Sequence, residues 1–188
     1  TRMIRTRIGR VAILAALYLV QGLPFGFQVG ALPIYLSELG VGPALIGFST
    51  ALAAPWGLKF IWAPLVERFG GARGSRKRWI VPVQAMMVLV MLFTSTISVE
   101  THLPLLLMVL FVLNFLAAVQ DVAVDGLAVD LLPPDELGIG NAAQVVGYKF
   151  GMMLAGGVLV WATGAIGWSG VFVCMATLIA VVALVVSS

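Results

Sequence analysis

The chain has almost none of the residues that build covalent or metal-bound scaffolds. Its single cysteine, Cys174, excludes a disulfide framework and a cysteine-built zinc site. Its single histidine, His102, excludes a histidine cluster for metal binding. Charge is scarce as well: only 10% of the 188 residues are Asp, Glu, Lys or Arg, against about 25% in an average soluble domain. That scarcity excludes an ordinary water-soluble globule. What fills the chain instead is apolar, with 61% hydrophobic residues and a mean hydropathy of +1.09. A disordered chain is excluded too, because disorder requires a shortage of residues able to bury themselves. The composition is that of an all-α polytopic membrane protein, with room for about six helices.

Apolar runs bounded by charges or turn signals place the spans at about 9–37, 43–66, 79–99, 103–130, 137–163 and 167–187. Between them lie Ser37-Glu38-Leu39-Gly40, a basic loop over 67–78, Glu100-Thr101-His102, Leu132-Pro133-Pro134-Asp135-Glu136 and Gly164-Ala165-Ile166-Gly167. Pro104 and the Pro133-Pro134 pair sit at helix ends, where a missing amide proton costs little. The first run is too long for a signal-peptide core and reads as a retained helix. Arg2, Arg5, Arg7 and Arg10 precede it, and Arg68, Arg73, Arg76, Lys77 and Arg78 lie between the second and third spans. The three loops of the other side carry no Lys or Arg, so the positive-inside rule predicts that both termini are cytoplasmic. These charges flank spans, so the basic balance calls for no nucleic-acid partner. Trp161 and Trp168 fit an outer aromatic belt and Trp79 an inner one.

Five charges fall inside spans. They are Lys59, Lys149, Asp121, Asp125 and Asp130. Each ionised group at mid-bilayer costs about 2.5–3.5 kcal/mol even on the lenient insertion scale, so these must face the bundle interior, a wet cavity or one another. At 1.5 Å per residue Asp121 lies roughly 13 Å, and Lys59 about 12 Å, from the inner ends of their helices. Lys149 and Gln21 come out at roughly 15–20 Å, so all four lie near one depth in a core about 30 Å thick. Asn114, Asp121 and Asp125 share one stripe of the fourth helix, whereas Asp130 points to its opposite side. Tyr18, Gln21, Phe25 and Gln28 form a stripe on the first helix; Asn141, Gln144 and Tyr148 form one on the fifth, with Lys149 beside them.

Structural ion pairs that pin a bundle are one reading of these charges. A polar belt on four helices at one depth exceeds what pairing requires, and it suits a transporter site near the midplane. Gln21-Gly22-Leu23-Pro24-Phe25-Gly26 and Ala54-Pro55-Trp56-Gly57 are expected to interrupt their spans and free backbone carbonyls beside that site. Gly147, Gly151, Gly156 and Gly157 suit close helix packing. Cys174 reads as inert core and His102 as a solvated loop residue.

The loop Leu65-Val66-Glu67-Arg68-Phe69-Gly70, with Arg76-Lys77-Arg78 beyond it, resembles the cytoplasmic signature of the major facilitator superfamily. Four further segments narrow the likeness: Tyr18 to Pro24, Lys59 to Val66, Gln120 to Gly126 and Gly140 to Lys149. Together they resemble the branch holding acetyl-coenzyme A transporters and bacterial muropeptide permeases. The likeness covers helices one to five. It implies the N-terminal six-helix half of a twelve-helix fold, working with a C-terminal half; the alternative is a half-size unit that pairs with a second copy. It also implies an inner gate of Glu67, Arg68 and Asp130, with Asp130 as the partner of Arg68.

The expected function is secondary, proton-coupled transport of a small or medium organic anion by alternating access across a bacterial inner membrane. Lys59 and Lys149 would bind the anion as desolvated charges, with Gln21, Gln28, Asn114, Gln144 and Tyr148 adding neutral hydrogen bonds. Asp121 and Asp125, a turn apart, would carry coupling protons. No cofactor and no metal is expected. An intramembrane aspartyl protease is disfavoured, because both aspartates lie on one helix and no Gly-x-Gly-Asp motif surrounds either. The remaining alternative is a membrane scaffold or assembly factor of facilitator shape that does not transport.

Overall fold

The computed structural model describes residues 6–70, 76–97 and 99–187. Arg2, Arg5 and Arg73, counted above among the basic residues of one side, lie outside the described residues. The described chain is almost wholly helical. Six helices are long and apolar enough to cross a membrane. They are span 1 (Arg7–Glu38), span 2 (Pro43–Ile61), span 3 (Lys77–Thr94), span 4 (His102–Leu131), span 5 (Pro134–Trp161) and span 6 (Thr163–Ser187). The protein is an integral membrane protein built as a helix bundle.

Local signals explain where the spans begin and turn. Thr6 caps the first helix, its hydroxyl accepting from the Gly9 amide. Span 1 ends in a Schellman turn: Val41 N–H bonds Leu36 C=O and Gly40 N–H bonds Ser37 C=O, with Gly40 at φ +73°. Gly167, at φ +67°, makes a non-helical kink within Thr163–Ser187. A side chain is strained at both positions. Between spans 2 and 3 the chain is not an open loop from Val66, because a further helix covers Ala63–Gly70.

Spans 1 and 4 are the most buried, and spans 2 and 5 the least. Span 1 packs on spans 4, 5 and 6, while span 3 lies against spans 4 and 6. Lipid tails are as apolar as leucine, so helices associate in a membrane through close packing and polar contacts rather than by escaping water. Spans 1 and 5 achieve this with glycine. Gly22, Gly26 and Gly30 meet the backbone of Tyr148, Met152 and Gly156, and Gly147 and Gly151 meet that of Ala15 and Leu19. A Cβ at any of these glycines would run into backbone. Gly157, expected in the same seam, has nothing within 4 Å and does not belong to it. The seam explains a spacing as well. Gly151 and Gly156 are five apart rather than four, and a π-turn over Leu154–Val158 absorbs the extra residue, keeping both on one face.

The expected interruption of span 1 at Gln21–Gly26 is absent. The α-helix runs through Pro24 to Gly26 and passes into a π-turn at Phe27–Ala31. Pro24 lacks an amide proton, yet the helix continues through it. Span 2 does break. It alternates between α and tighter 3₁₀ turns at Ser49–Ala53 and Lys59–Ile61, with a short α-turn carrying Pro55 between them. The Gln28 amide donates to the carbonyls of Ser49 and Thr50, 3.4 Å from each, where the 3₁₀ turn begins.

Candidate functional site

The broken span 2 aims two side chains at span 4. Lys59, at the start of a 3₁₀ turn, places Nζ 2.8 Å from Asp121 Oδ2 and 3.9 Å from Asp125 Oδ2. Trp56 donates its indole N–H to Asn114 Oδ1 at 3.0 Å, and Asn114 donates to its own helix at Leu110 C=O, 2.9 Å away. Span 1 approaches the same aspartates from another side. Gln21, fully buried, donates to Asp121 Oδ1 at 3.0 Å, and the Tyr18 hydroxyl donates to Asp125 Oδ1. Carboxylates and an ammonium taken into the membrane are therefore compensated by partners from three spans, as their desolvation requires.

Five of these groups, though not Gln21 or Asn114, border a chamber of about 470 Å³. Tyr18, Trp56, Lys59, Asp121 and Asp125 form one side, and Asn141, Gln144, Tyr148 and Lys149 of span 5 form the other. Lys149 makes no ion pair among the described residues and is exposed, so the chamber carries a second cation that is not desolvated as expected. An aromatic cluster from three spans adjoins the charges. Ring centroids of Phe25, Trp56 and Tyr148 stand 6.1 to 6.4 Å apart, in edge-to-face and tilted arrangements. Such a chamber can hold an anionic group on its lysines and an apolar or ring-shaped part against its aromatic wall. A larger groove of about 620 Å³, lined by Gly26, Met152, Gly156 and Trp161 among others, carries no charged side chain.

Not every expected contact lies in the chamber. Gln28 and Asn114 are buried but spend their amides on span 2, the first on backbone and the second on Trp56. Neither lines the chamber of about 470 Å³. The ion pair expected at Asp130 has a different basic partner. Asp130 pairs with Arg76, Nε to Oδ2 at 3.3 Å, and not with Arg68. Arg76 begins the turn into span 3, and Gly126 makes room for its guanidinium, since a Cβ there would collide with it. Glu67 and Arg76 line a vestibule of about 510 Å³ that also reaches Lys59 and Asp125.

Sequence reasoning missed Trp56 as a chamber residue, the burial of Gln84 and Gln120, and the pairing of Arg10 with Glu136. The first was visible only as part of a helix-breaking motif. The pairing had a signal in hindsight, an acidic residue at the start of span 5 on the same membrane side as Arg10.

A six-span membrane bundle with an ion-paired chamber between its helices is the class of protein that this geometry defines. Residues 10–106 and 94–163 match the model of the family described as Acetyl-coenzyme A transporter 1. The chain belongs to that family. It is 31% identical over 172 residues to the Anhydromuropeptide permease of Escherichia coli (strain K12), a match covering 90% of this chain and 35% of the permease. It is 31% identical over 169 residues to the Putative transporter AmpG 4 of Rickettsia felis, covering 87% of this chain and 41% of that protein. An Uncharacterized protein of Haemophilus influenzae is 30% identical over 152 residues, 80% of this chain and 36% of its own length. The chain thus spans about two-fifths or less of the curated relatives that it matches. The named relatives carry the names of permeases and transporters, not of enzymes.

Proposed function

We propose that this chain forms one wall of a proton-coupled secondary transporter for a small or medium organic anion, with both its ends on the cytoplasmic side of a bacterial inner membrane. The observation that carries this reading is one chamber lined both by Lys149, which makes no ion pair among the described residues, and by the ion-paired Lys59, Asp121 and Asp125. Lys149 and the half-exposed Lys59 take the anion, Gln144 and Tyr148 donate neutral hydrogen bonds, and the Trp56 wall takes the apolar part of the substrate. Asp121 and Asp125 supply the acid–base groups for coupling. Glu67, Arg76 and Asp130 lie at the basic end, where a cytoplasmic gate belongs, with Arg68 beside them.

The chamber is open along spans 2 and 5, the two least buried helices. A second bundle of the facilitator type, packed there, closes it and permits alternating access. The names of the relatives supply two substrates to try, acetyl-coenzyme A and an anhydromuropeptide. Both are anions carrying rings, and the ammonium groups beside an aromatic wall suit that chemistry.

The test is uptake of either labelled compound into vesicles reconstituted with the whole protein, with and without an inward proton gradient. Gradient-dependent accumulation that Lys149→Met abolishes supports the reading. Uptake of neither compound, or uptake indifferent to the gradient and to Lys149, defeats it. Orientation is checked separately, by labelling Gly42→Cys and Arg68→Cys with a membrane-impermeant thiol reagent. Only the former is expected to react from outside intact cells.

A further inference from the structure

We infer that the two aspartates of span 4 divide the coupling between them: Asp121 anchors Lys59, and Asp125 takes up and gives back the proton as the substrate anion draws Lys59 away. The inference rests on the transporter reading above and adds to it the identity and the trigger of the proton site.

The two carboxylates are placed unequally. The Asp121 side chain is 11% exposed and has both oxygens engaged, Oδ1 by Gln21 at 3.0 Å and Oδ2 by Lys59 at 2.8 Å. The Asp125 side chain is 52% exposed. Its Oδ1 accepts from Tyr18, while its Oδ2 stands 3.9 Å from Lys59, beyond hydrogen-bond reach. A proton on Asp121 therefore displaces a donor already in place. A proton on Oδ2 of Asp125 displaces none, because Tyr18 keeps donating to the other oxygen.

Access is unequal as well. Asp125 borders the central chamber, the vestibule of about 510 Å³ toward Glu67 and Arg76, and a third cavity of about 350 Å³ between spans 4 and 5. Asp121 borders only the central chamber among these. The charged and titratable groups around Asp125 are Tyr18 on span 1, Lys59 on span 2, Asp121 on its own helix, Tyr148 and Lys149 on span 5, and Glu67 and Arg76 in the vestibule.

Lys59 supplies the link. Its side chain is 45% exposed and carries its charge on a flexible four-carbon stem. An anion seated near Lys149 competes with the aspartates for that ammonium. When Lys59 leans toward the anion while keeping its 2.8 Å contact with Asp121, Asp125, already 3.9 Å from the ammonium, loses its nearest cation and takes one proton from chamber water onto Oδ2. When the anion leaves, Lys59 returns and the proton goes back to water. One negative charge and one proton thus enter and leave together.

The experiment uses vesicles reconstituted with the whole protein, and labelled acetyl-coenzyme A and anhydromuropeptide as probes. In Asp125→Asn, accumulation driven by a proton gradient is lost while exchange of labelled for unlabelled probe persists. In Asp121→Asn both are lost, because Lys59 has lost its anchor. Infrared difference spectra after a pH jump need no substrate. The protonated-carboxyl band that appears in the wild type is expected in Asp121→Asn and absent in Asp125→Asn. Gradient-driven accumulation by Asp125→Asn, or a band that vanishes in Asp121→Asn and stays in Asp125→Asn, overturns the assignment. A wild type that carries neither probe but shows the Asp125-dependent band defeats the transporter reading while upholding Asp125 as the proton site.

Discussion

Arg10 and Glu136 are 126 positions apart in the chain and meet as a fork, Nε to Oε2 at 3.0 Å and Nη2 to Oε1 at 2.5 Å. The fork fastens the basic end of span 1 to the start of span 5, just beyond the glycine seam that joins the same two helices. Two parallel contacts need the planar guanidinium, which a lysine ammonium cannot imitate. Arg10→Glu and Glu136→Arg are each expected to lower the apparent melting temperature in detergent, and the double reversal to recover most of the loss. Arg10→Lys should fall between wild type and the reversals. Equal melting of all four variants would show that the fork contributes nothing.

The glycine seam makes a sharper prediction, because neighbouring glycines differ. Gly22→Ala, Gly26→Ala and Gly151→Ala force a methyl group against the facing backbone. Overpacking of this kind costs about 1–3 kcal/mol, and each variant should melt earlier and give less folded protein. Gly157→Ala meets open space and should match wild type. Unfolding by heat or by strong detergent reads both outcomes.

Lys59 and Asp121 form the ion pair at the centre of the chamber. A fully buried pair costs 3–5 kcal/mol when one partner is removed, but the 45% exposure of the Lys59 side chain screens this one. The cycle of Lys59→Met, Asp121→Asn and the double variant should therefore give a coupling of about 1 kcal/mol. Asp121→Asn alone should destabilise less than Lys59→Met alone, since asparagine still accepts from Gln21 whereas a lone carboxylate stays without its cation. A coupling near zero would mean that the 2.8 Å contact contributes nothing to the fold.

Asn114 is predicted to act through Trp56. Asn114→Leu removes the acceptor of the indole N–H, a loss of about 1 kcal/mol of hydrogen bonding, or roughly five-fold in affinity if it all falls on the bound state. Trp56→Ala should weaken binding at least as much, and combining the two should add little to Trp56→Ala alone. Apparent KM in vesicle uptake reads the series. Additive effects would place Asn114 on the substrate itself.

The spans and their ends were legible in the chain because their signals are local. Long apolar runs, the Gly40 turn, the Gly167 kink and the prolines at the start of spans act within a few residues of where they stand. The convergence of Gln21, Lys59 and Asp121 was legible for a different reason. Depth along a helix is a matter of counting at 1.5 Å per residue, and a charge inside a membrane must find a partner. What counting does not supply is the angle at which one helix faces another. Gln28 and Asn114 lie on the expected stripes, yet Gln28 donates to span 2 backbone and Asn114 accepts from Trp56, and Asp130 found Arg76 rather than Arg68. Those choices depend on where span 2 breaks and on how the chain enters span 3.

Composition and periodicity alone determined that the protein lives in a membrane as six helices, and that its buried charges had to meet. The cost of an unpaired charge in lipid turns such groups toward one another or toward a wet cavity. Only the tertiary structure decided which carboxylate is enclosed and which is open. The broken turn of span 2 carries Lys59 closer to Asp121 than to Asp125, and the glycine seam draws span 1 and span 5 together around them. One turn of helix separates the two aspartates in the chain, but their surroundings come from three other spans, and those surroundings set their chemistry.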